Sequence, residues 1–241
     1  MLNRETHLAR LSDSEIGKGH SLYLHYKFYH EALFLAIKQY ANGQLLDIGC
    51  GNMPYKKQIT PYVQQYVGCD IIQSSDNCVE ILCPANQIPL ADQTFDTVLS
   101  TQTIEHVEDH QGLVNEAYRL LKGGGNFIVS GPMYWPLHEE PYDFFRFTKH
   151  GLNHILTKAG FEVLALNPNG GKWAVAGQAL IHAVFPTLVN IKGFKGKIVK
   201  IIFQALGGIK TINWLFSYLD QKAPDYTNTM NYVVVARKPI Q

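Results

Sequence analysis

The sequence predicts an α/β fold, a doubly wound seven-stranded sheet, mostly parallel, with helices on both faces. Three observations predict it: short β-like runs recur between segments of helical period, the first run ends in the turn Gly49-Cys50-Gly51, and the second ends in an acid, Asp70. In an open parallel sheet such turns gather beyond the carboxyl ends of the strands, where ligands bind.

Strands are expected at residues 45–48, 66–69, 79–83, 97–100, 127–130, 162–166 and 232–236. Between the fourth and fifth, Leu113, Ala117, Leu120 and Leu121 fall at i, i+4, i+7 and i+8, one apolar stripe of a helix that the glycines at 123–125 should end. After the fifth strand, Thr148 can cap a helix with Leu152, Ile155, Leu156 and Ala159 facing inward and Gly160 as its stop. The whole chain, 1–241, reads as one domain. Within it, 1–44 form an aromatic-rich helical cap of one or two helices, 45–170 a cofactor-binding core, and 171–229 a helical insertion before the last strand.

With 241 residues, 46% hydrophobic and 17% charged, the chain holds enough apolar material for one large core. A net charge of +1 creates no field that would draw in a polyanion, so no nucleic-acid partner is expected. Cys50, Cys69, Cys78 and Cys83 form no C-x-x-C pair and read as reduced thiols. Arg4, Glu5 and Arg10 are not followed by an apolar run, which does not suit a secretory signal, and the expected location is the cytoplasm.

The first strand ends in Leu45-Leu46-Asp47-Ile48-Gly49-Cys50-Gly51-Asn52. Gly49 and Gly51 remove Cβ atoms where the backbone turns sharply and approaches a ligand. A carboxylate at Asp70 can accept hydrogen bonds from the two hydroxyls of a ribose. Together they indicate an adenosine-containing ligand. A dinucleotide fingerprint would place its third glycine at position 54, where the chain has Pro54, and would not require Asp47 before the turn. S-adenosylmethionine has no pyrophosphate and carries a positive ammonium, which Asp47 suits directly or through water.

The segments LLDIGCG, YVGCD, IPLADQTFDTVLSTQTIEHVED and LKGGGNFIVSGP follow one another with the order and spacing of the class I S-adenosylmethionine-dependent methyltransferases. The chain resembles especially the group called type 11, over roughly residues 45–166 with 232–236 as the last strand. The resemblance implies a Rossmann-like sheet whose last strand is antiparallel. It places Asp47, Gly49, Cys50 and Gly51 along the methionyl part, Asp70 and Ile71 at the ribose, Ala85 and Asn86 near the adenine, and Gln102 beside the methionine. The chain departs from the pattern at Pro84, where an acid is common, and at Met53, where a further glycine is common. Adenine recognition would then fall to Asn86 or to backbone groups.

The fifth strand leads into residues 131–148, a stretch with Pro132, Pro136, five aromatics between Tyr134 and Phe145, and the ionisable His138, Glu139, Glu140, Tyr142, Asp143 and Arg146. Such a loop at the ligand edge is the expected acceptor site, with Tyr134, Tyr142 and Arg146 as substrate contacts. It resembles a subset of type 11 enzymes with a His-x-x-Pro-Tyr-Asp-Phe-x-Arg-Phe-Thr signature associated with bacterial surface-glycan biosynthesis. Methyl transfer is an in-line displacement, and much of its catalysis can come from alignment. For a hydroxyl acceptor His138 is the first choice of base, Asp143 the second and His106 the third. An Asp143–Arg146 ion pair that merely orders the loop is equally open. His150 and His154 have ligand spacing on a helix but no third partner nearby, and no metal is expected.

Residues 173–191 contain no Asp, Glu, Lys or Arg. A single membrane crossing is rejected, because the flanking strands belong to one sheet and Gln178, His182, Pro186 and Asn190 interrupt the run. Residues 193–219 read as one amphipathic helix, Lys197, Lys200 and Gln204 lying opposite Ile198, Ile201, Ile202 and Ala205. A packed lid or a homodimer face is favoured over membrane-surface contact.

The expectation is methyl transfer from S-adenosylmethionine to an oxygen, less favourably a nitrogen, of a small molecule or saccharide precursor. The rivals are a non-catalytic cofactor-binding or assembly protein and a nicotinamide-dependent reductase. A nucleic-acid base methylase is not expected, because Ser100-Thr101-Gln102-Thr103 lacks a Pro-Pro-aromatic element.

Overall fold

The computed structural model describes residues 16–240. The chain divides into two compact units: one built from Ala32–Asn167 with the strand region after Asn231, the other from residues 16–31 with Pro168–Met230. Of the cap expected over 1–44, residues 16–31 group with the late insertion, Ala32 onward joins the sheet unit, and 1–15 lie outside the described residues.

The first unit is built on the seven-stranded mixed sheet. Its elements are β1 (Gln44–Ile48), α2 (Lys56–Ile59), β2 (Gln65–Asp70), β3 (Ile81–Leu82), β4 (Phe95–Thr101), α3 (His110–Leu120), β5 (Leu121–Pro132), α4 (Lys149–Lys158), β6 (Glu162–Asn169) and β7 (Asn231–Arg237). Helix α1 (Tyr23–Tyr40) precedes them. The strand order is β3-β2-β1-β4-β5-β7-β6. β3, β2, β1, β4 and β5 pair parallel, and β7 runs antiparallel to β5 from Asn126↔Arg237 to Pro132↔Asn231. The order reverses between β1 and β4, which defines the switch point.

The central strands are buried on both faces, which is why they read as near-continuous apolar runs. Leu46, Val98, Phe127, Val129 and Val234 meet Leu113, Ala117, Leu120, Leu152 and Leu156 from the helices in one core. Thr148 caps α4 as expected, its hydroxyl accepting from the Gly151 N–H at 3.1 Å.

Two local expectations change. Glycines 123–125 do not end α3; the helix stops at Leu120, and Leu121 is already extended and paired with Phe95. The register then jumps to Thr97↔Asn126, so the glycines form a bulge inside β5, where the backbone of Gly124 and Gly125 bonds to Lys238. The third strand is only Ile81–Leu82, at the sheet edge.

The second unit contains α5 (Lys172–Asn190), α6 (Gly193–Ala205) and α7 (Gly208–Lys222). The helix expected over 193–219 is broken, because Gly207 and Gly208 take φ of 83° and 54°. The buried Asp220 carboxylate accepts from the N–H groups of Gly171 (2.9 Å) and Ala174 (3.0 Å), satisfying the start of α5. Asn213 donates to the carbonyls of Lys18 (2.8 Å) and His20 (3.0 Å).

Candidate active site

At the carboxyl end of β1 the chain turns through Gly49, whose φ is 77°, and Gly51, whose φ is 51°. Gly49 N–H and Cys50 N–H both donate to the Cys69 carbonyl, tying the turn to β2. A Cβ on Gly49 would lie 2.3 Å from the Thr103 side chain, so this position is closed to any other residue by backbone conformation and by space. Asp70, at the end of β2, accepts from Gly51 N–H at 3.0 Å and Ile72 N–H at 3.3 Å. The acid that the sequence offers to a ribose therefore also holds the turn that would face the cofactor.

Asp47 is 2% exposed. One of its oxygens accepts from the Tyr66 hydroxyl, while Oδ1 has no hydrogen-bond partner. Burial pushes its carboxyl up to about 7, the Tyr66 hydroxyl opposing and the Asp70 charge adding. A buried carboxylate with an unsatisfied oxygen is costly unless a cation meets it. That fits the methionyl ammonium of S-adenosylmethionine.

The remaining expected cofactor positions are mixed. Gln102 sits after β4 at φ 49°, and its backbone N–H and side-chain amide both donate to the Ser130 hydroxyl at 3.0 Å. The Asn86 side-chain N–H donates to Asp109 at 2.9 Å, and Asp109 caps α3, so half of that amide is committed to the scaffold. Ala85 packs against the core, Cys50 is buried and Ile71 is half exposed.

The ends of β4 and β5 lie side by side, with Thr101 opposite Ser130, so the segment after each emerges at one edge. The first carries the short turn Ile104–His106, the second the 132–148 loop. The loop is held at its two ends by Phe147 N–H donating to Pro132 O at 2.7 Å and by Phe144 N–H donating to Glu105 O at 2.9 Å. Arg146 grips Asp143 with both terminal nitrogens, at 2.6 and 2.7 Å, and also donates to the carbonyls of Trp135, Pro136 and Phe145. Burial works to raise the Asp143 carboxyl, but Arg146 and the His138 N–H outweigh it and hold it down to about 2. Asp143 is thus committed to ordering the loop, and Arg146 is saturated by the chain itself.

His106 and His138 come together, ring centroids 4.7 Å apart and nearly perpendicular. The Nδ1 of His106 lies 2.9 Å from the Tyr142 carbonyl, and that of His138 lies 3.2 Å from the Pro136 carbonyl and 3.3 Å from Asp143. A carbonyl cannot donate, so each Nδ1 carries the proton, and whichever ring is neutral has an acceptor at Nε2. Burial, with the neighbouring His106 and Arg146, lowers the His138 imidazole below its usual range against the pull of Asp143 and Glu139. Nε2 of His106 lies 3.9 Å from Glu105 and 4.0 Å from Glu139.

Sequence reasoning assigns no role to Glu105, yet it is fully buried, neither carboxyl oxygen has a hydrogen-bond partner, and burial pushes it up to about 8. One ligand atom from each of Glu105, His106 and His138 falls within 4.8 Å of the others, the makings of a cation site. Tyr66 and Ser130, the partners of Asp47 and Gln102, are likewise absent from the sequence-based site. Of the expected substrate contacts, Tyr134 is half-buried, while Tyr142 is exposed and its carbonyl serves His106. His150 and His154 are exposed on α4, away from any third ligand among the described residues.

A glycine turn at the switch point, a buried carboxylate with one unpartnered oxygen before it and an acid at the end of the neighbouring strand fit the class I S-adenosylmethionine-dependent methyltransferase type of domain. Residues 46–129 match the family described as a methyltransferase domain, type 11. A Mycolicibacterium smegmatis protein named "Probable S-adenosylmethionine-dependent methyltransferase" is 28% identical over 149 residues, covering 56% of this chain and 58% of its own length. A Mycobacterium tuberculosis protein of similar name is 29% identical over 137 residues, covering 51% and 50%. The chain thus spans about half the length of these curated relatives. Among solved structures, the [4+2]-cyclase SpnF is similar with a TM-score of 0.59 at 19% identity, covering 97% of this chain and 89% of that one. A SAM-dependent methyltransferase from Archaeoglobus fulgidus has a TM-score of 0.54 at 16% identity, covering 88% and 96%. These two likenesses concern the fold.

Proposed function

We propose that the chain binds S-adenosylmethionine and transfers its methyl group to an oxygen, less favourably a nitrogen, of a small molecule or saccharide precursor. The observation that carries this reading is the unpartnered, buried oxygen of Asp47 beside the Gly49 turn. When bound, S-adenosylmethionine supplies an electrophilic methyl carbon on a cationic sulfonium. Asp47 would meet its ammonium, Asp70 and Ile71 its ribose, Ala85 and Asn86 its adenine, and Cys50, Gly51 and Gln102 its methionyl part.

In this reading the neutral His138 imidazole, its Nδ1–H held by Pro136 and Asp143, takes the acceptor's proton at Nε2. His106 stands beside it as the second imidazole, and Asp143 with Arg146 positions the loop. Tyr134 and Tyr142 border the same loop and suit the face of a sugar ring. The resemblance of 132–148 to a loop signature associated with surface-glycan biosynthesis supports a saccharide acceptor. A cytoplasmic location accords with that class of substrate.

The cyclase of the same fold illustrates that fold alone does not fix the reaction. Calorimetry with S-adenosylhomocysteine and with NADH separates the cofactor classes; binding of NADH alone would overturn the reading. Incubation with methyl-labelled S-adenosylmethionine and candidate acceptors tests turnover. Cofactor binding without any labelled product across saccharide and small-molecule acceptors would favour a non-catalytic binding protein.

Glu105 favours a second reading of the acceptor side. Its two unsatisfied oxygens, with His106 and His138, suit a divalent cation that would orient the acceptor hydroxyl and raise its acidity. Activity that survives exhaustive chelation excludes this second reading and leaves His138 as base.

A further inference from the structure

Helix α6 is apolar, yet the second unit does not bury it. Gly196 alone is buried among the α6 residues whose side chains are described, while Phe194 is 78% exposed and Ile201 64%. Past the Gly207 break the surface continues, with Leu206 72% exposed and Trp214 65%. Monomeric proteins rarely leave contiguous apolar surface of this kind to water, so the face has an occupant.

Charge selects the occupant. Residues 172–222 contain seven lysines and one acid, Asp220, and that acid is buried at the start of α5. Lys192, Lys197 and Lys210 are exposed beside the apolar residues. A second copy docked by the same face would set lysine against lysine, because a two-fold interface pairs a patch with itself. An anionic bilayer surface meets both properties at once, taking the apolar side chains at the level of the acyl boundary and the lysines among the headgroups. Trp214 and Tyr218, stacked at 6.1 Å and exposed, are residues favoured at such an interface. A cavity of about 430 Å³ opens within this unit, lined by Phe185, Leu188, Phe203 and Ile209 with Lys200 and Lys210, a slot suited to an acyl chain with cations beside its phosphate. Among the described residues no single helix is long and apolar enough to cross a membrane, although the bent pair Gly196–Ala205 and Gly208–Lys222 is so when taken together.

We infer that α6 and α7 form a docking surface for an anionic membrane interface. The sequence alone favours a lid or dimer helix here; the uncovered state of α6 and the one-sided charge reverse that preference. The inference is independent of the reaction, so its test stands apart from cofactor binding.

The test is co-sedimentation of the full chain with sucrose-loaded vesicles of phosphatidylcholine, with and without about a third phosphatidylglycerol. Binding to the anionic vesicles should exceed binding to the neutral ones at least tenfold and weaken in high salt. The triple substitution Lys197→Glu, Lys200→Glu, Lys210→Glu should lower partitioning about a hundredfold, each lysine near the surface being worth about 1 kcal/mol. Phe194→Ser with Ile201→Ser, changes at exposed positions, should lower it as well while leaving the melting temperature and S-adenosylhomocysteine affinity unchanged. Equal partitioning to neutral and anionic vesicles, or none to either, overturns the inference. So does a concentration-dependent dimer in sedimentation velocity that Leu206→Glu dissolves, since the face would then belong to a second copy.

Discussion

Replacing Asp47 with asparagine should stabilise the cofactor-free protein and weaken cofactor binding, opposite effects from one side chain. The carboxyl stands at about 7 in the folded chain against an ordinary 3.8, chiefly through burial. A folded-state value raised above the unfolded one means that the native state keeps its proton while the unfolded chain loses it. Stability is therefore full below about pH 4, declines as pH rises toward 7, and is level above that. The displacement caps the cost of the ionised carboxylate at about 4 kcal/mol at pH 7.5. The Asp47→Asn variant keeps an acceptor for the Tyr66 hydroxyl and carries no charge at this position, so urea unfolding at pH 7.5 should show it more stable by up to that figure. At pH 4 the advantage should vanish. Binding moves the other way: a charge-assisted hydrogen bond to a buried partner contributes roughly 1.5–3 kcal/mol, so calorimetry with S-adenosylhomocysteine, which keeps the ammonium, should show ten- to hundredfold weaker affinity. For the native protein, binding at pH 6 should release about one proton and be roughly tenfold weaker than at pH 8. Affinity that is flat across this range and indifferent to the substitution would refute the pairing of Asp47 with a cationic ligand.

Gly49→Ala should cost at least about 2 kcal/mol in urea unfolding and abolish cofactor binding, because φ of 77° and the Thr103 side chain both oppose a Cβ. Arg146→Lys keeps the charge but loses the two-pronged grip on Asp143. Limited proteolysis should then cut within 132–148 faster, with cofactor affinity changed less than about twofold. His138 is lowered from 6.5, so it is neutral at pH 7, and turnover should fall only as pH drops below that value. His138→Asn should remove this acid limb and lower kcat by about 10²–10⁴. Glu105 is held at about 8 through burial, so the stability that its protonated form contributes is lost as pH rises from about 4.5 toward 8. Glu105→Gln should flatten that decline in thermal melts, and if a cation sits there, metal content measured by mass spectrometry should fall with it.

What is legible in the sequence is what local chemistry dictates. Asp47, Gly49 and Asp70 stand out because strand, turn and acid lie at fixed spacing, and β1, β2, β4 and β5 because strands buried on both faces carry long apolar runs. The bulge at 123–125 escapes a sequence reading because glycines that end a helix and glycines that bend a strand look alike; only pairing with β4 and Lys238 distinguishes them. Glu105 escapes it for a different reason. An acid beside a histidine in a polar stretch reads as solvated, and its burial arises when the 132–148 loop folds back, Phe144 and Phe145 bonding to its carbonyl. Asp143 and Arg146 are recognisable as a pair from spacing alone, but the role of each rests on the bidentate geometry.

The place of β7 has a consequence for the order of assembly. It lies between β5 and β6, yet α4 to α7 are all translated before it. Until Asn231–Arg237 emerges, one flank of β5 is an open template of unpaired amides, and Val233, Val234 and Val235 are not yet there to cover it. The nascent protein must hold its half-built centre shielded, by chaperones or by transient pairing, and a stop codon between β5 and β7 would leave an aggregation-prone sheet rather than a shortened native fold.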